Sequence, residues 1–378
     1  MNVSVPFTDL GAMTREVRET VFQGWADVLE ASRFIGGEEV ERFEDQFAAY
    51  CSSSHAVGVA NGTDAIQLTL RALGIGPGDE VIVPANSFVA TAEAVALAGA
   101  TARFADVDPG TLLITATTAE AAVTSRTRAI IVVHLYGQVA DMDALGAMAS
   151  RFGLVLIEDA AQAHGATWRG QVAGSFGRAG CFSFYPGKNL GAFGDAGAVV
   201  SSDAALTASI RSMRDHGRGA GSHYAHTIVG TNSRLDAMQA VVLTAKLACL
   251  DKWNEARRYI ADRYRTAFGV VGLNLVHEAA PARGVYHLAV ARVPNRDQVR
   301  SFCQSLGIQT AVHYPTPIHL LEPYAQLAKE PLQIAETAAR EVLSLPIFPH
   351  MTDEQIGRVC ASAPAIAEFL EMSEAVGV

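Results

Sequence analysis

From His55 to Asp203 the chain alternates short apolar runs with amphipathic helical segments, and this alternation narrows the fold more than any other feature. "HAVGVA", "DEVIVPA", "TARFADVD", "TRAIIVVHL", "LVLIEDA" and "AGAVVSSD" read as strands, while "TDAIQLTLRALG", ended by Gly74, "FVATAEAVALAGA" and "DALGAMASRFG" read as helices. Apolar strands separated by helices imply an α/β class, with a mainly parallel central sheet covered by helices on both faces. Ligands of such sheets bind beyond the carboxyl ends of the strands, so functional residues are sought there.

The flanks differ in texture. "SRFIGGEEVERFEDQFAAYC" breaks at Gly36 and Gly37, then sets Val40, Phe43, Phe47 and Ala48 at helical spacing, which suggests an N-terminal helical arm. "SRLDAMQAVVLTAKLACLDKWNEARRYIADRYRTAFG" reads as a long helical stretch. After it, "VYHLAVARV", "RDQVRSFCQSLGI" and "TAVHYPTPIH" suggest strands and helices of a smaller α/β domain, closed by the helix "TDEQIGRVCASAPAIAEFLEM". The expected division is a large domain over 1–250, arm included, and a small C-terminal domain over 251–378.

Composition removes several functions. With 49% hydrophobic and 18% charged residues the chain is globular, and its formal charge of -10 argues against a nucleic-acid partner. No apolar run approaches the roughly 20 residues of a membrane-spanning helix, and "MNVSVPFTDLGAM" lacks a basic segment followed by an apolar one, so no membrane and a cytoplasmic location are expected. The five cysteines have no metal-ligand spacing and read as buried thiols of a reducing compartment. No metal site is expected.

Four features fall at strand ends. In "VANGTDAIQLTL", Asn61-Gly62-Thr63-Asp64 joins a strand to a helix; a helix N-terminus with a glycine suits an anion, and an ordinary start capped by Thr63 or Asp64 reads equally well. "LVLIEDAAQAHGA" ends a strand on Glu158 and Asp159, where a carboxylate suits a cationic ring nitrogen or simply caps the next turn. "FSFYPGKNLGAFGDAGAVV" puts Lys188 after an apolar run and inside a turn, as a desolvated nucleophile or an exposed loop residue. It is not a nucleotide-binding phosphate loop, because the lysine precedes the glycines. "GTNSRLDAMQA" offers Asn232, Ser233 and Arg234 at a helix start, where polar residues are usually caps.

The order of these features, together with "FIGGEEVERFEDQFAAYC", "NGTDAIQLTLRALGIGPGDEVIVPANSFVAT", "RDHG" and "HYPTPIH", resembles the pyridoxal-phosphate (PLP) dependent nucleotide-sugar aminotransferases of the DegT/StrS type over nearly the whole chain. The resemblance implies the aspartate aminotransferase architecture, fold type I, in a homodimer with shared active sites. It makes Lys188 the lysine that carries PLP and Asp159 the partner of the pyridine nitrogen. It sets Gln162 against the ring near its hydroxyl and Phe88 on the other face. The phosphate would be held by Gly62, Thr63, the backbone amide of Asp64, Ser183, and Asn232 reaching across from the partner subunit.

L-Glutamate is then the amino donor, the cofactor cycles through pyridoxamine phosphate, and a nucleotide-linked keto sugar is the acceptor. The form "FYPGKNLGAFGDAGA" is similar to the subgroup that aminates C-3 of dTDP-3-keto-6-deoxyhexoses, whereas 4-keto enzymes often carry histidine where Tyr185 stands. Tyr185, His216, Arg218, Arg234, His313 and Tyr314 are candidate contacts to the sugar or its diphosphate. The rivals are amination at C-4 of a UDP-, GDP- or dTDP-linked 4-keto sugar, elimination on a sulfur amino acid with the same lysine and aspartate, and a non-catalytic PLP-binding regulatory protein. Lys188 argues against the related 3-dehydratases, which carry histidine there.

Overall fold

The computed structural model describes residues 4–219, 224–328 and 330–376. Two helices lead, α1 (Leu10–Ala31) and α2 (Glu38–Tyr50). The Asp9 carboxylate caps α1 by accepting the Ala12 amide at 3.0 Å, and α1 buries Met13, Val17, Val21 and Val28, one stripe at helical spacing. Gly37, with φ 86°, allows the sharp entry into α2 that the Gly36-Gly37 break led us to expect.

Strands and helices then alternate as β1 (His55–Val59), α3 (Gly62–Ala72), β2 (Glu80–Pro84), α4 (Ala90–Leu97), β3 (Thr101–Ala105), α5 (Ala116–Ala121), β4 (Thr127–Val133), α6 (Met142–Phe152) and β5 (Val155–Asp159). A small hairpin of β6 (Thr167–Trp168) and β7 (Gln171–Val172) precedes β8 (Ala179–Ser183), β9 (Gly197–Ser201) and α7 (Ala204–Met213). The central sheet has seven strands in the order β1-β9-β8-β5-β4-β2-β3. Its pairs from β3 across to β8 are parallel, and β9 runs antiparallel to both β8 and β1. The sheet is therefore mainly parallel with a reversed strand near one edge, and β5 and β8 both end on the same side as β2 and β4.

The core under the sheet is apolar and aromatic. Phe43 and Phe47 of α2 stack at 5.5 Å, and Phe47 meets Phe182 and Phe184 edge-on at 4.9 and 5.1 Å. Since Phe182 and Phe184 flank Ser183, this packing fixes the end of β8 and the start of the lysine-bearing turn.

The helical stretch after residue 233 is two helices, α8 (Ala237–Leu247) and α9 (Leu250–Gly269). Beyond it lie β10 (Ala282–Arg283), β11 (Ala289–Arg292), α10 (Arg296–Ser305), α11 (Gln333–Glu341), β12 (Val342–Leu345) and α12 (Asp353–Val376). The expected strand in "TAVHYPTPIH" is not one. Ala311 makes a single bridge to Ser344, and β11 pairs instead with β12, whose sequence Val342–Leu345 is too short to stand out as a strand. Ile260, Tyr264 and Phe268 of α9, Val299 and Cys303 of α10, and Val359 and Ile366 of α12 form a separate apolar cluster with these two strands. Cys249 and Cys360 are only partly buried, because each sits on a helix flank rather than in a core; all five thiols are free. No described helix is long and apolar enough to cross a membrane.

Candidate active site

A cavity of about 620 Å³ opens at the carboxyl ends of β5 and β8, and Asp159 and Lys188 both line it. Asp159 ends β5 and is 7% exposed. Its Oδ2 accepts a hydrogen bond from Thr91 Oγ1 at 2.8 Å and its Oδ1 one from the Ala161 amide at 3.2 Å. Ser87 Oγ lies 2.9 Å from Thr91 Oγ1, and since Thr91 gives its one hydrogen to the carboxylate, Ser87 donates to Thr91. Burial raises the Asp159 pKa, and the Thr91 hydroxyl, the Ala161 amide, Lys188 and the His134 ring oppose that rise. Behind this wall Glu158 is wholly buried and accepts from the amides of Gly174, Phe176 and Gly177 at 2.6 to 2.7 Å, with His134 Nε2 at 2.9 Å. Glu158 therefore wires a turn to the strand and leaves the cavity to Asp159.

Lys188 follows β8 in a turn closed by its own amide, which donates to the Tyr185 carbonyl oxygen at 2.8 Å. Its side chain is partly buried, and removal from water lowers the amine to about 8 against the upward pull of Asp159. Among the described residues the amine has no hydrogen-bond or ion-pair partner. It is a cavity lysine kept partly neutral near physiological pH.

The third wall is the start of α3. Asn61, not Thr63 or Asp64, is the cap: its Oδ1 accepts the Asp64 amide at 2.8 Å. The Asp64 amide is taken up by this cap, and the Asp64 carboxylate accepts Ser233 Oγ at 2.6 Å outside the cavity lining. Gly62 and Thr63 line the cavity, and their amides have no intrahelical acceptor. A Cβ on Gly62 would lie 2.7 Å from the Cβ of Ser183, so glycine is what lets this helix end meet the tip of β8. A lone amine, a buried carboxylate that favours a cation, and a helix N-terminus suit a ligand with an aldehyde, a basic ring nitrogen and a phosphate. PLP carries all three.

The remaining expected residues divide into two groups. Phe88, Gln162, Ser183, Tyr185, His313 and Tyr314 line the cavity. Gln162 Oε1 accepts the Tyr136 amide at 2.7 Å and its Nε2 donates to Tyr314 Oη at 3.2 Å, so the amide group is held from both sides. Phe88 is 54% exposed with its ring 5.6 Å from that of Tyr314, and Tyr185 is 60% exposed. His313 stacks on Phe7 at 5.8 Å, and burial, with Lys188 nearby, lowers its pKa to about 4. Asn232, His216, Arg218 and Arg234 do not line the cavity of their own chain. Arg218 and Arg234 both bind Asp215, at 2.9 and 3.1 Å, and Asn232 bridges Asp215 through its backbone.

Asn61, Ser87, Thr91, Arg257 and His287 also line or bound this site and were not foreseen. Asn61 carried a signal, since asparagine before a glycine and a helical run is a strong cap. Thr91 and Ser87 carried none, because a hydroxyl in or just before a helix says nothing about which carboxylate the tertiary fold brings to it.

The chain is similar to known proteins over nearly its whole length. The model of the DegT/DnrJ/EryC1/StrS aminotransferase family matches residues 15–363. A dTDP-3-amino-3,4,6-trideoxy-alpha-D-glucose transaminase of Streptomyces venezuelae is 46% identical over 372 residues, covering 98% of this chain and 98% of its own. A UDP-N-acetyl-3-dehydro-alpha-D-glucosamine 3-aminotransferase of Acidithiobacillus ferrooxidans is 46% identical over 360 residues, 95% of this chain and 96% of its own. Among solved structures, that of S. venezuelae DesV in complex with a ketimine intermediate matches with a TM-score of 0.94 at 47% identity, covering 97% of this chain and 99% of that one.

Proposed function

Since the chain belongs to the DegT/DnrJ/EryC1/StrS aminotransferase family, we propose that it uses PLP to move an amino group from L-glutamate to C-3 of a dTDP-linked 3-keto-6-deoxyhexose. The observation that carries the reading is the pair Lys188 and Asp159, an amine without a partner among the described residues and a buried carboxylate, both lining one cavity beside a helix N-terminus. The choice of carbon 3 draws on the two relatives, whose names differ in the nucleotide and agree on that position.

Bound here, PLP supplies an aldehyde that takes up the amino group and an electron-poor ring that accepts the electron pair left at the donor's α-carbon. The protein's own residues do the rest. Lys188 is the residue that would hold the cofactor's aldehyde and, when its amine is free, would move the proton at the substrate carbon; a pKa of about 8 leaves a usable neutral fraction near neutrality. Asp159 would have to be ionised to keep the ring nitrogen protonated, and a cation brought against it would oppose the rise that burial causes in its pKa. Thr91 and Ser87 hold that carboxylate in place. The amides of Gly62 and Thr63, with Ser183, line the cavity where they would hold the phosphate.

The reading includes a homodimer. Phe22 and Leu29 of α1, Phe34 and Ile35 just after it, and Phe88 and Tyr185 at the cavity mouth are all exposed apolar side chains. Asn232, His216, Arg218 and Arg234 stand apart from their own cavity, as residues serving a neighbouring subunit's site would. It also includes the division near residue 250, supported by the separate apolar cluster of the C-terminal elements. A cytoplasmic location is supported by five free thiols.

The test is incubation with PLP, L-glutamate and a panel of dTDP-, UDP- and GDP-linked keto sugars, with products identified by mass and position of the amine. Amination of 3-keto sugars is expected. No amination of any sugar overturns the function, and amination only at C-4 overturns the position alone.

A further inference from the structure

His287 stands in the segment just before β11, and the fold brings it to the cavity wall that carries Lys188. Its Nδ1 lies 3.2 Å from Oδ1 of Asn189, the residue that follows Lys188. Asn189 is buried, and its Nδ2 donates to the Val285 carbonyl oxygen and to Asn254 Oδ1, both at 2.9 Å. Asn254 in turn donates from Nδ2 to the His164 carbonyl oxygen at 2.9 Å. A carbonyl oxygen can only accept, so these two carbonyls fix which end of each side-chain amide is nitrogen, and the Asn189 oxygen is left as an acceptor. The hydrogen between Asn189 and His287 therefore belongs to Nδ1 of the ring.

The other ring nitrogen is the one a ligand would meet. Nε2 of His287 has no hydrogen-bond partner among the described residues, and it is not shut off from solvent as both ring nitrogens of His164 are. Burial holds the ring well below its usual pKa, and Lys188 and Arg257 on the same wall push it the same way, followed by His313 and His164. The ring is neutral, so Nε2 carries a lone pair and no hydrogen. Other acceptors of this wall are already engaged: Asp159 by Thr91 and the Ala161 amide, Gln162 Oε1 by the Tyr136 amide. His287 is thus a neutral acceptor, fixed in direction by Asn189 and open to the cavity.

We propose that Nε2 of His287 accepts a hydrogen bond from a hydroxyl of the sugar that receives the amino group. The proposal deepens the aminotransferase reading and rests on it. A lone pair takes the hydrogen of a hydroxyl and repels a carboxylate or a diphosphate, neither of which has one to give. The amino-acid donor offers carboxylates, and its amino group goes to the cofactor, so His287 favours the sugar. Because its anchor is the residue next to Lys188, the sugar and the lysine amine are held in one frame. An acceptor built in this way also disfavours a sugar lacking the hydroxyl, which would leave the lone pair unmatched.

The probes are dTDP-glucose and UDP-glucose, which carry hydroxyls and no carbonyl to react, each set against its bare nucleoside diphosphate. Titrated calorimetrically into the protein loaded with pyridoxamine phosphate, the hexose should tighten binding over the bare diphosphate. H287F should lose about 3- to 10-fold of that gain, the scale of one neutral hydrogen bond, while dTDP and UDP bind both proteins alike. The substitution also takes a donor from Asn189, so histidine ¹⁵N NMR of the wild-type protein tests the same point with the native side chain in place. The His287 ring, assigned by its absence in H287F, should be the neutral tautomer protonated on Nδ1. Its Nε2 signal should move upfield on adding the nucleotide sugar that binds and stay put on adding the bare diphosphate. A ring protonated on Nε2, an Nε2 signal that ignores the hexose, or a hexose gain that survives in H287F overturns the proposal. If the wild type aminates no keto sugar from any amino acid, the aminotransferase reading fails; if it does and Nε2 ignores the hexose, only the subsite fails.

Discussion

Two lysines on neighbouring elements, Lys188 in the turn after β8 and Lys246 near the end of α8, are both driven to about 8 by loss of water. Lys246 is the more deeply buried, at 3% exposure. Its Nζ donates to the Gly191 carbonyl oxygen at 2.5 Å and sits 4.5 Å from the centre of the Phe193 ring, so it braces the loop that Lys188 begins. Lys188 has no such partner, opens on the cavity, and shares it with Asp159. A lowered pKa is thus common to a structural lysine and a reactive one, and what separates them is access and an opposing carboxylate.

The comparison can be broken most sharply by labelling. Borohydride reduction of the PLP-loaded protein should fix the cofactor on Lys188 alone, read by peptide mass, and label on Lys246 would show that pKa outweighs access. K188A should lower transamination by at least about 10⁴-fold. Its melting temperature without cofactor should not fall, since the variant removes an amine that has no partner.

A smaller effect tests the carboxylate. T91V removes a hydrogen bond to a charged group, a loss of about 1.5–3 kcal/mol, and should raise the Asp159 pKa further in the direction burial already pushes it. The ionised form exists only above that pKa, so the acid limb of the kcat/KM profile should move up by about 1–2 pH units. T91S should restore it. An unmoved limb would remove Thr91 from the tuning of Asp159.

The smallest effect belongs to Lys246. K246M should keep most of the activity, because the residue touches the loop and not the cavity. Stability to urea should show the difference: with a folded pKa of about 8 against the ordinary lysine value of 10.5, the unfolded chain binds more protons between those values. Stability should therefore rise with pH across that window in the wild type, and rise less in K246M. An unchanged slope would mean that Lys246 keeps its charge in the folded chain.

Much of this was legible before folding. The alternation from β1 to β9 declared itself because strands buried on both faces must be apolar throughout and their helices must show one apolar stripe. β12 did not, since four residues carry too little pattern. Asp159 and Lys188 were visible as polar residues placed right after apolar strands. Thr91 and Arg257 were not, because a helix fixes which face a side chain shares with its neighbours along the chain and says nothing of what crosses it from elsewhere.

The sequence by itself therefore determined the α/β class, the strand ends that matter, and the amine and carboxylate at two of them, all properties set by local period and polarity. Only the tertiary structure decided that Asn61 takes the Asp64 amide, that Thr91 reaches Asp159 from 68 positions away in the chain, and that Arg257 is enclosed with no counter-ion among the described residues. Those outcomes depend on contacts between distant segments. Their desolvation, which turns a common lysine and a common arginine into unusual ones, exists only once the segments have closed around them.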